Sequence, residues 1–383
     1  MTKPTSSSEK IEPENKCTWL TKLKQDRKLL ILTIICAGLG IIALIVGVIT
    51  VINILTQPAN NVTATINVPQ NVNIVPPAPT VLPRALDGLL VAAADANKVP
   101  ACVMIENAAF DGVRPQAGLS SAQVVYEIIV EGGITRLMAV FGGEQADTVG
   151  PVRSARDTYL QFASEYNCAY THAGGSPTAM QALEDFSMRD LDGLRESQWF
   201  WRDSKKYSPH NLFTSTAKLY EAISAGHSWI ETPTYIPWTF ADNEVITATA
   251  TTAETANEIN VYFTGSYDVK YTYNATEKYY ERVNGGKPHT DANTNKILTA
   301  RNIIIETVPA GESIEGKGRI NFDVVGAGDV YIFRLGKLTK GTWKKADRLA
   351  RTQFFTEDGK EIPLVRGNTW VELVPTTHKF DWK

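Results

Sequence analysis

Cysteine and histidine are scarce in this chain of 383 residues, and their scarcity excludes several classes of protein. The four cysteines include no closely spaced pair and the five histidines are scattered, so the sequence contains no zinc-type ligand set. Walker-type phosphate loops and serine nucleophile elbows are absent as well. We therefore predict no metal site, and the sequence does not identify a cofactor.

An excess of positive charge is also missing. The chain has 38 basic and 41 acidic residues, which gives a net charge of −3. A nucleic-acid-binding protein needs a basic field to meet the phosphate backbone, so we predict no nucleic-acid partner.

What the sequence does contain is one long apolar run, at residues 29–55, without a charged side chain. About 20 apolar residues cross a bilayer, so the run predicts a transmembrane helix rather than a shorter secretory signal. Cys36 follows two isoleucines, whereas a lipidation signal needs a small residue before its cysteine. Basic residues crowd the N-terminal side, which predicts a single-pass protein with residues 1–28 in the cytoplasm and everything after the run outside it.

The uncharged segment 56–83, rich in Asn, Thr, Val and Pro, separates this run from the rest. Proline-rich chains extend by about 3.1 Å per residue, so the segment predicts a tether that could hold a globular part up to about 80–90 Å from the bilayer. The alternative is slack chain without a spacing role.

Residues 84–240 alternate short apolar runs with helical patterns, which predicts an α/β layered domain. The runs at 101–105, 135–141 and 168–172 predict buried strands. Between the last two runs lies the apolar stripe of a packed helix, formed by Tyr159, Phe162, Ala163 and Tyr166.

Residues 258–377 change to period-two alternation, which predicts a mostly β domain and an overall α+β or α/β class. Segment 232–257 is the expected linker. The tyrosines of the second domain could stack on glycans, although core packing is the favoured use. The alternating residues are Val269, Tyr271 and Tyr273, and the turn signals lie at 284–286, 326–328 and 358–360.

Cys102 and Cys168 fall in two of the predicted strands, on the oxidising side of the membrane. They either form a disulfide bridge or remain as two buried free thiols, and burial of free cysteine as a small apolar residue is the favoured interpretation.

The segment GPVRSARD at 150–157 lies between a predicted strand and the stripe helix. Ser154 has the position of an N-cap and Asp157 completes a capping-box pattern, so the helix N-terminus would open between Arg153 and Arg156. Two guanidiniums beside a helix N-terminus favour phosphate or another anion. The alternative is that both arginines pair with acids such as Glu127 or Glu131.

His172 ends a predicted strand, and Gly174, Gly175 and Ser176 form a turn and cap before Pro177. Ligands of open α/β sheets bind at the carboxyl ends of strands, so His172 is a candidate general base, with a structural histidine as the alternative.

A third segment, from 201 to 213, carries polar residues in a loop before a predicted helix. Local turn stabilisation by Asp and Asn is the alternative explanation. Its candidates are Arg202, Asp203, His210 and Asn211.

Taken together, these motifs resemble the YerB-like lipoprotein family of bacteria, a family of unknown function. The likeness runs from about Pro100 to Pro375, departs at the anchor, and implies a cell-envelope location without an activity. Arg114, Glu131 and Arg136 stand in its motifs and join the candidate ligand-binding residues. The motifs are VMIEN at 103–107, RPQAGL at 114–119, EGGITR at 131–136, GPVRSAR at 150–156, HAGGSP at 172–177, GKPH at 286–289, GTWKK at 341–345 and GNTW at 367–370.

A fainter likeness joins RDTY at 156–159 and the glycines at 174–175 to the LytR-CpsA-Psr family of membrane-anchored glycopolymer ligases. In that family, arginines hold the pyrophosphate of a polyprenyl-linked glycan with a divalent metal. This chain has Ala155 where proline is usual, and RPQ at 114–116 where an Arg-Ser-Asp would supply the metal's carboxylate.

Three functions follow as hypotheses for this envelope protein. The first is binding of an anionic cell-wall component, which bears phosphate or carboxylate. The second is transfer of polyprenyl-pyrophosphate-linked glycopolymers, with Arg153 and Arg156 stabilising the leaving group and His172 or His210 as general base. The third is a non-catalytic scaffold for other envelope proteins. The candidate ligand-binding residues are Arg114, Glu131, Arg136, Arg153, Arg156, Asp157, Gly174, Gly175, Ser176, Arg202, Asp203 and Asn211.

Overall fold

The structure, a computed structural model, describes residues 81–383 except 111, 231–234 and 250–252, together with 31, 34, 37 and 45–49, which are helical. Among the described residues, no helix is long and apolar enough to cross a membrane. The predicted cytoplasmic segment 1–28 and most of the predicted span 29–55 lie outside the described residues, so both stay predictions.

The described residues from 81 to 383 belong to one compact unit of α+β class. Its helices are few and short: α1 Ala93–Ala96, α2 Asp157–Tyr166, α3 Pro177–Asp185, α4 Thr216–Glu221 and α5 Asn243–Thr249. Single turns of 3₁₀ helix occur at Leu119–Ser121, Glu131–Gly133, Ser197–Trp199 and Gly265–Tyr267, and a π turn at Ala222–Gly226.

The strands of the first half are β1 Val81–Pro83, β2 Leu90–Ala92, β3 Ala101–Glu106, β4 Val124–Ile129, β5 Thr135–Phe141, β6 Ala169–His172, β7 Arg189–Asp192, β8 Trp201–Arg202, β9 Leu212–Phe213 and β10 Phe240–Ala241. Those of the second half are β11 Glu254–Thr255, β12 Glu258–Tyr262, β13 Val269–Asn274, β14 Tyr279–Asn284, β15 Lys287–Pro288, β16 Thr299–Ala300, β17 Asn302–Val308, β18 Glu312–Ile314, β19 Arg319–Asn321, β20 Gly326–Arg334, β21 Lys337–Lys345, β22 Gln353–Phe355, β23 Leu364–Val365, β24 Thr369–Pro375 and β25 Lys379–Trp382.

One large mixed sheet runs through both halves, in the order β11-β21-β20-β17-β24-β4-β5-β3-β6-β7, with β22 beside β21. The junction is the parallel pairing of β24 with β4, from Thr369 opposite Val124 to Glu372 opposite Glu127. The division into domains at 84–240 and 258–377 stays a prediction, but strands from both ranges share this sheet.

The carboxyl ends of several strands meet at one edge of this sheet. β3, β6 and β7 are parallel to one another, and β5 is antiparallel to both β3 and β4. Strands β3, β4, β6 and β7 therefore end where β5 begins, and we call this edge the carboxyl edge. The strands predicted at 101–105, 135–141 and 168–172 are all found, because an uninterrupted apolar run fits a strand buried on both faces.

Helix α2 packs on one face of the sheet through the predicted stripe, and all four stripe residues are fully buried. The helix begins at Asp157, with Arg156 as N-cap. The prediction of a Ser154 cap was wrong, because the Ser154 hydroxyl donates to the backbone oxygen of Ala173 (3.0 Å) and the chain stays extended for two more residues. Cys102 and Cys168 form a disulfide bridge, not the favoured pair of free thiols, with Cα atoms 5.9 Å apart.

A second, antiparallel sheet, β15-β14-β13-β12-β25 with β16 beside β14, packs on the opposite face. Strands β14 and β15 are joined by Gly285 and Gly286, with φ of +59° and +76°, as the turn signal at 284–286 predicts. Tyr271 and Tyr280 are buried, which confirms core packing rather than a glycan surface for these two.

Three sequence interpretations of loops need correction. Gly326 to Gly328, read as a turn, begins strand β20, because Gly328 lies against the indole of Trp343 and leaves no room for a side chain there. The predicted tether at 56–83 ends earlier than expected, since Val81–Pro83 pairs with β2 as strand β1. The predicted linker at 232–257 contains β10, α5 and β11.

A buried ion cluster joins the two sheets. Arg282 of β14, fully buried, donates to Glu127 of β4 and lies 3.6 Å from Glu372 of β24. Its Nε donates to the Tyr271 hydroxyl (3.0 Å) and its guanidinium stacks 4.2 Å from the ring of Trp370.

Candidate functional site

Three arginines converge at the carboxyl edge of the large sheet. Arg136 is the second residue of β5, and Arg153 and Arg156 lie in the extended segment that precedes α2. Two carboxylates face them: Glu106 at the end of β3 and Glu131 in the turn after β4. We call Arg136, Arg153 and Arg156 the arginine cluster, which has one more charge than the two carboxylates that pair with it.

The two arginines predicted from sequence have different partners. Arg156 is paired with Glu131: its Nε donates to Glu131 Oε2 (2.8 Å) and an Nη atom donates to Oε1. Arg153 Nε lies 3.2 Å from Glu106 Oε1. Arg136 is 3.8 Å from Glu131 and donates to the Ser154 backbone oxygen (3.2 Å).

The electrostatics of the cluster follow from crowding at a buried position. Burial, together with the charges of Arg156 and Arg153, lowers the pKa of Arg136 to about 10 against the opposing effect of Glu131. Burial would raise the pKa of Glu131, but the hydrogen bonds from Arg156 and the charge of Arg136 outweigh it and bring the pKa to about 2. The Nε atom of Arg136 is buried and has no hydrogen-bond partner, whereas the buried Nε atom of Arg153 makes only the ion-pair contact with Glu106.

Backbone hydrogen bonds fix the arginine segment beside the loop that follows β6. Arg153 N donates to Met104 O in β3 (2.9 Å), and Ala155 N donates to Gly174 O (2.8 Å). Gly174 adopts a φ of +63°, which glycine allows without strain. Two of the three predicted segments, 150–157 and 172–177, are therefore brought together, with Gly175 bridged to Ala155.

The N-terminus of α3 is already satisfied by protein groups. Ser176 caps it as predicted, accepting from Ala179 N (3.3 Å). Asp157 accepts from the hydroxyls of Ser176 (3.0 Å) and Thr178 (2.9 Å). Glu315 accepts from Thr178 N. Asp157 and Ser176 thus brace the two helix starts against each other.

His172 is fully buried, and both of its ring nitrogens have acceptor partners. Nδ1 lies 2.8 Å from Gly174 O and Nε2 lies 2.6 Å from Asp190 Oδ1. Burial would raise the pKa of Asp190, but His172 and then Arg195 lower it below its ordinary value. This arrangement supports the structural alternative for His172, because neither nitrogen faces a ligand.

His210 differs, since only one ring nitrogen is engaged. Nδ1 lies 2.8 Å from Glu106 Oε2, and the side chain is 25% exposed. With the proton placed on Nδ1, the carboxylate orients the ring and Nε2 keeps a lone pair. Glu106 thus contacts both His210 and Arg153, so the structure brings His210 to the arginine cluster.

The remaining candidates lie elsewhere or serve local structure. Arg202 donates to Asn211 Oδ1 (2.8 Å), and Asn211 Nδ2 reaches the Asp203 backbone oxygen (3.2 Å), so the three brace the β8–β9 hairpin. Arg114 donates to Asn107 Oδ1 (3.0 Å) and to the Ser266 backbone oxygen (3.0 Å). Within the described part of the chain, no group of three acidic, His or Cys side chains could hold a metal ion.

Glu106 was missed as a site residue, although it ends the apolar run of β3 as His172 ends that of β6. A charged residue that closes a buried strand is the signal that could have identified it. Asp190 and Glu315, also missed, become relevant only through contacts across the fold.

The geometry defines an α+β protein with a mixed central sheet and a charged site at the carboxyl ends of its strands. The chain belongs to the YerB-like family: residues 86–228 match the protein of unknown function (DUF3048) N-terminal domain, and residues 259–371 match its C-terminal domain. It is 31% identical over 314 residues to "Putative lipoprotein YerB" of Bacillus subtilis (strain 168), covering 80% of this chain and 90% of that one. The crystal structure of YerB protein from Bacillus subtilis matches with a TM-score of 0.68 at 29% identity, over 78% of this chain and 99% of that one.

Proposed function

We propose that this protein is held at the cell membrane and binds, at the arginine cluster, a phosphate or carboxylate group of a cell-envelope component. The observation that carries the proposal is the convergence of three guanidiniums on two carboxylates, with the buried Nε donor of Arg136 left without a partner. Guanidiniums suit planar, bidentate binding of such anions. Ligands of α/β sheets bind at the carboxyl ends of strands, which is where the cluster lies.

The membrane location rests on two separate arguments. The relative from Bacillus subtilis carries the name of a lipoprotein, which supports association with the envelope. In this chain the apolar run at 29–55 takes the place of a lipid anchor, and the charge bias before it gives an extracytoplasmic C-terminal part. The envelope component is a cell-wall polymer or a lipid-linked glycan.

The experiment measures binding of inorganic pyrophosphate to the full-length protein by titration calorimetry. Arg153→Ala and Arg156→Ala are compared with wild type and with Arg348→Ala, a half-buried arginine outside the cluster that donates to Ser164 Oγ (2.9 Å). Truncation at a largely desolvated anion site costs about 2–5 kcal/mol of binding free energy, whereas a solvated arginine costs under about 1 kcal/mol. Replacement by Lys should also weaken binding, because Lys lacks the bidentate fork.

Thermal unfolding of each variant distinguishes an arginine that binds the anion from one that only stabilises the fold. Unchanged pyrophosphate affinity with a lowered melting temperature would show that these arginines only support the fold, and the proposal would fail. Weakened affinity in the cluster variants alone supports it.

Transfer of a polyprenyl-pyrophosphate-linked glycan is a second candidate, because Glu106 orients His210 and leaves its Nε2 available beside the cluster. His172 is unsuited to the role of base, since both its nitrogens are engaged. The transfer hypothesis expects His210→Gln to abolish turnover of a lipid-linked glycan while pyrophosphate affinity persists. If wild type shows binding without turnover, the binding function stands alone. If it shows neither, a scaffold role remains.

A further inference from the structure

A second cationic site lies between the loop after β3 and the β14–β15 hairpin, and none of the three arginines of the arginine cluster lines it. It is a cleft of about 300 Å³, at the lower end of the range for small-ligand pockets. We call it the Lys287 cleft, and its functional lining residues are Phe110, Arg114, Ser266, Asn284, Lys287 and Thr290.

The positive charge of this cleft is not neutralised within it. No acidic residue is among its lining residues. The Arg114 guanidinium donates only to neutral oxygens, on Asn107 and Ser266. Lys287 is exposed, and in the described part of the chain no carboxylate pairs with it. A concave surface with two cations and no anion favours a negatively charged ligand.

The cleft also presents groups that recognise hydroxyls. Asn284 is buried, with only 3% of its surface exposed, and its Oδ1 has no hydrogen-bond partner. Buried acceptors are nearly always paired, so an unpaired one in a cleft wall calls for a donor such as a ligand hydroxyl. Ser266 and Thr290 also line the cleft, and both carry a hydroxyl, a group that can donate or accept.

An aromatic ring completes the lining. Phe110 is 51% exposed, and its ring lies edge to face with His210 at 5.1 Å. A sugar ring has an apolar C–H face and polar hydroxyls at its edge. An exposed aromatic side chain can pack against the face while neighbouring polar groups bond the hydroxyls.

The backbone that forms this wall is closely constrained. Gly285 has a φ of +59°, and a Cβ there would collide with the backbone oxygen of Ser266, which accepts from Arg114. The hairpin turn therefore packs against the hydrogen bond between Arg114 and the Ser266 backbone oxygen, and it places Asn284 and Lys287 at the cleft.

We propose that the Lys287 cleft binds a single sugar ring that carries an acidic group, as a site distinct from the arginine cluster. The acidic group, a carboxylate or a phosphate, lies against Arg114 and Lys287, and a ring hydroxyl donates to Asn284.

The test titrates four probes into the full-length protein in detergent, followed by ligand-observed saturation-transfer NMR. Glucuronic acid and glucose 6-phosphate separate the two acidic groups, glucose lacks charge, and inorganic phosphate lacks hydroxyls. We expect at least one acidic sugar to bind more tightly than both glucose and phosphate. Lys287→Gln should weaken that binding about tenfold, the loss of one charge-assisted hydrogen bond, and Lys287→Glu should weaken it further.

The matched control is Lys360→Gln, because that lysine is 82% exposed and lies outside the cleft. It should leave binding unchanged. Equal binding of glucose, equal binding of phosphate, or no effect of Lys287→Gln would overturn the proposal. Loss of sugar binding in Arg153→Ala would place the sugar at the arginine cluster and would also overturn it.

Discussion

Replacement of Arg282 by Met is the sharpest test of how the two sheets are held together. Arg282 is completely buried, as are Glu127 and Glu372. Burial and then the charge of Glu127 raise the pKa of Glu372 to about 8, so at neutral pH Glu372 is largely protonated and Glu127 balances the arginine. Methionine keeps the contact with the Trp370 ring but removes the positive charge.

The expected cost is about 3–5 kcal/mol of unfolding free energy, because an unpaired carboxylate is left in the core. A carboxylate left unpaired in an apolar core is relieved when it takes up a proton, which is easier at low pH. The destabilisation should therefore shrink as the pH falls toward the ordinary carboxyl pKa and grow as the pH rises.

Urea unfolding of the full-length protein at pH 5 and pH 8 measures both effects. The control is Lys270→Met on β13, which removes an exposed pair with Glu258 (2.7 Å, Lys270 43% exposed) and should cost far less unfolding free energy than Arg282→Met. If Arg282→Met costs no more than this control, or if its cost is the same at both pH values, the buried charge does not hold the sheets as argued here.

Three further predictions concern other parts of the molecule. Burial, reinforced by the charge of Glu165, raises the pKa of Glu306 from 4.5 to about 8. As the pH rises through this interval, Glu306 should therefore lower the free energy of unfolding by up to about 1.4 kcal/mol per pH unit. Glu306→Gln should remove this contribution to the pH dependence measured by urea unfolding. A slope unchanged by the variant would contradict this. Gly285→Ala should lower the free energy of unfolding by more than about 1 kcal/mol, because of its positive φ and the collision with Ser266; an unchanged melting temperature would refute it. Protease added outside intact cells should digest the compact unit and spare residues 1–28, and protection of that unit would contradict the proposed topology.

Strands and helices of the large sheet could be predicted because their signals are local. The run at 101–105 is continuously apolar and the run at 135–141 is apolar after Arg136, and strands covered on both faces use such runs. The stripe of α2 has helical spacing, and Pro177 with Ser176 marks the start of α3.

The errors arise where a residue serves a distant neighbour. Ser154 is a residue type that often caps helices, but its hydroxyl donates a hydrogen bond to Ala173, which strand β6 brings near. Gly328 is a residue type that favours turns, but here the absence of a side chain makes room for Trp343 in the next strand. Neither partner can be identified from the surrounding sequence, since short polar and small residues suit caps, turns and close packing alike.

The two alternatives for Arg153 and Arg156, anion binding or pairing with acids, are not exclusive in this fold. Arg156 does pair with Glu131, whereas Glu127 is taken by Arg282 and Arg153 pairs with Glu106 instead. Glu106 is shared with His210, and Glu131 is shared with Arg136, so neither carboxylate is devoted to one arginine. Pairing therefore orients the guanidiniums without cancelling their charge. An incoming anion would meet donors already held in position, and the ion pairs that brace the edge would also prepare it for a ligand.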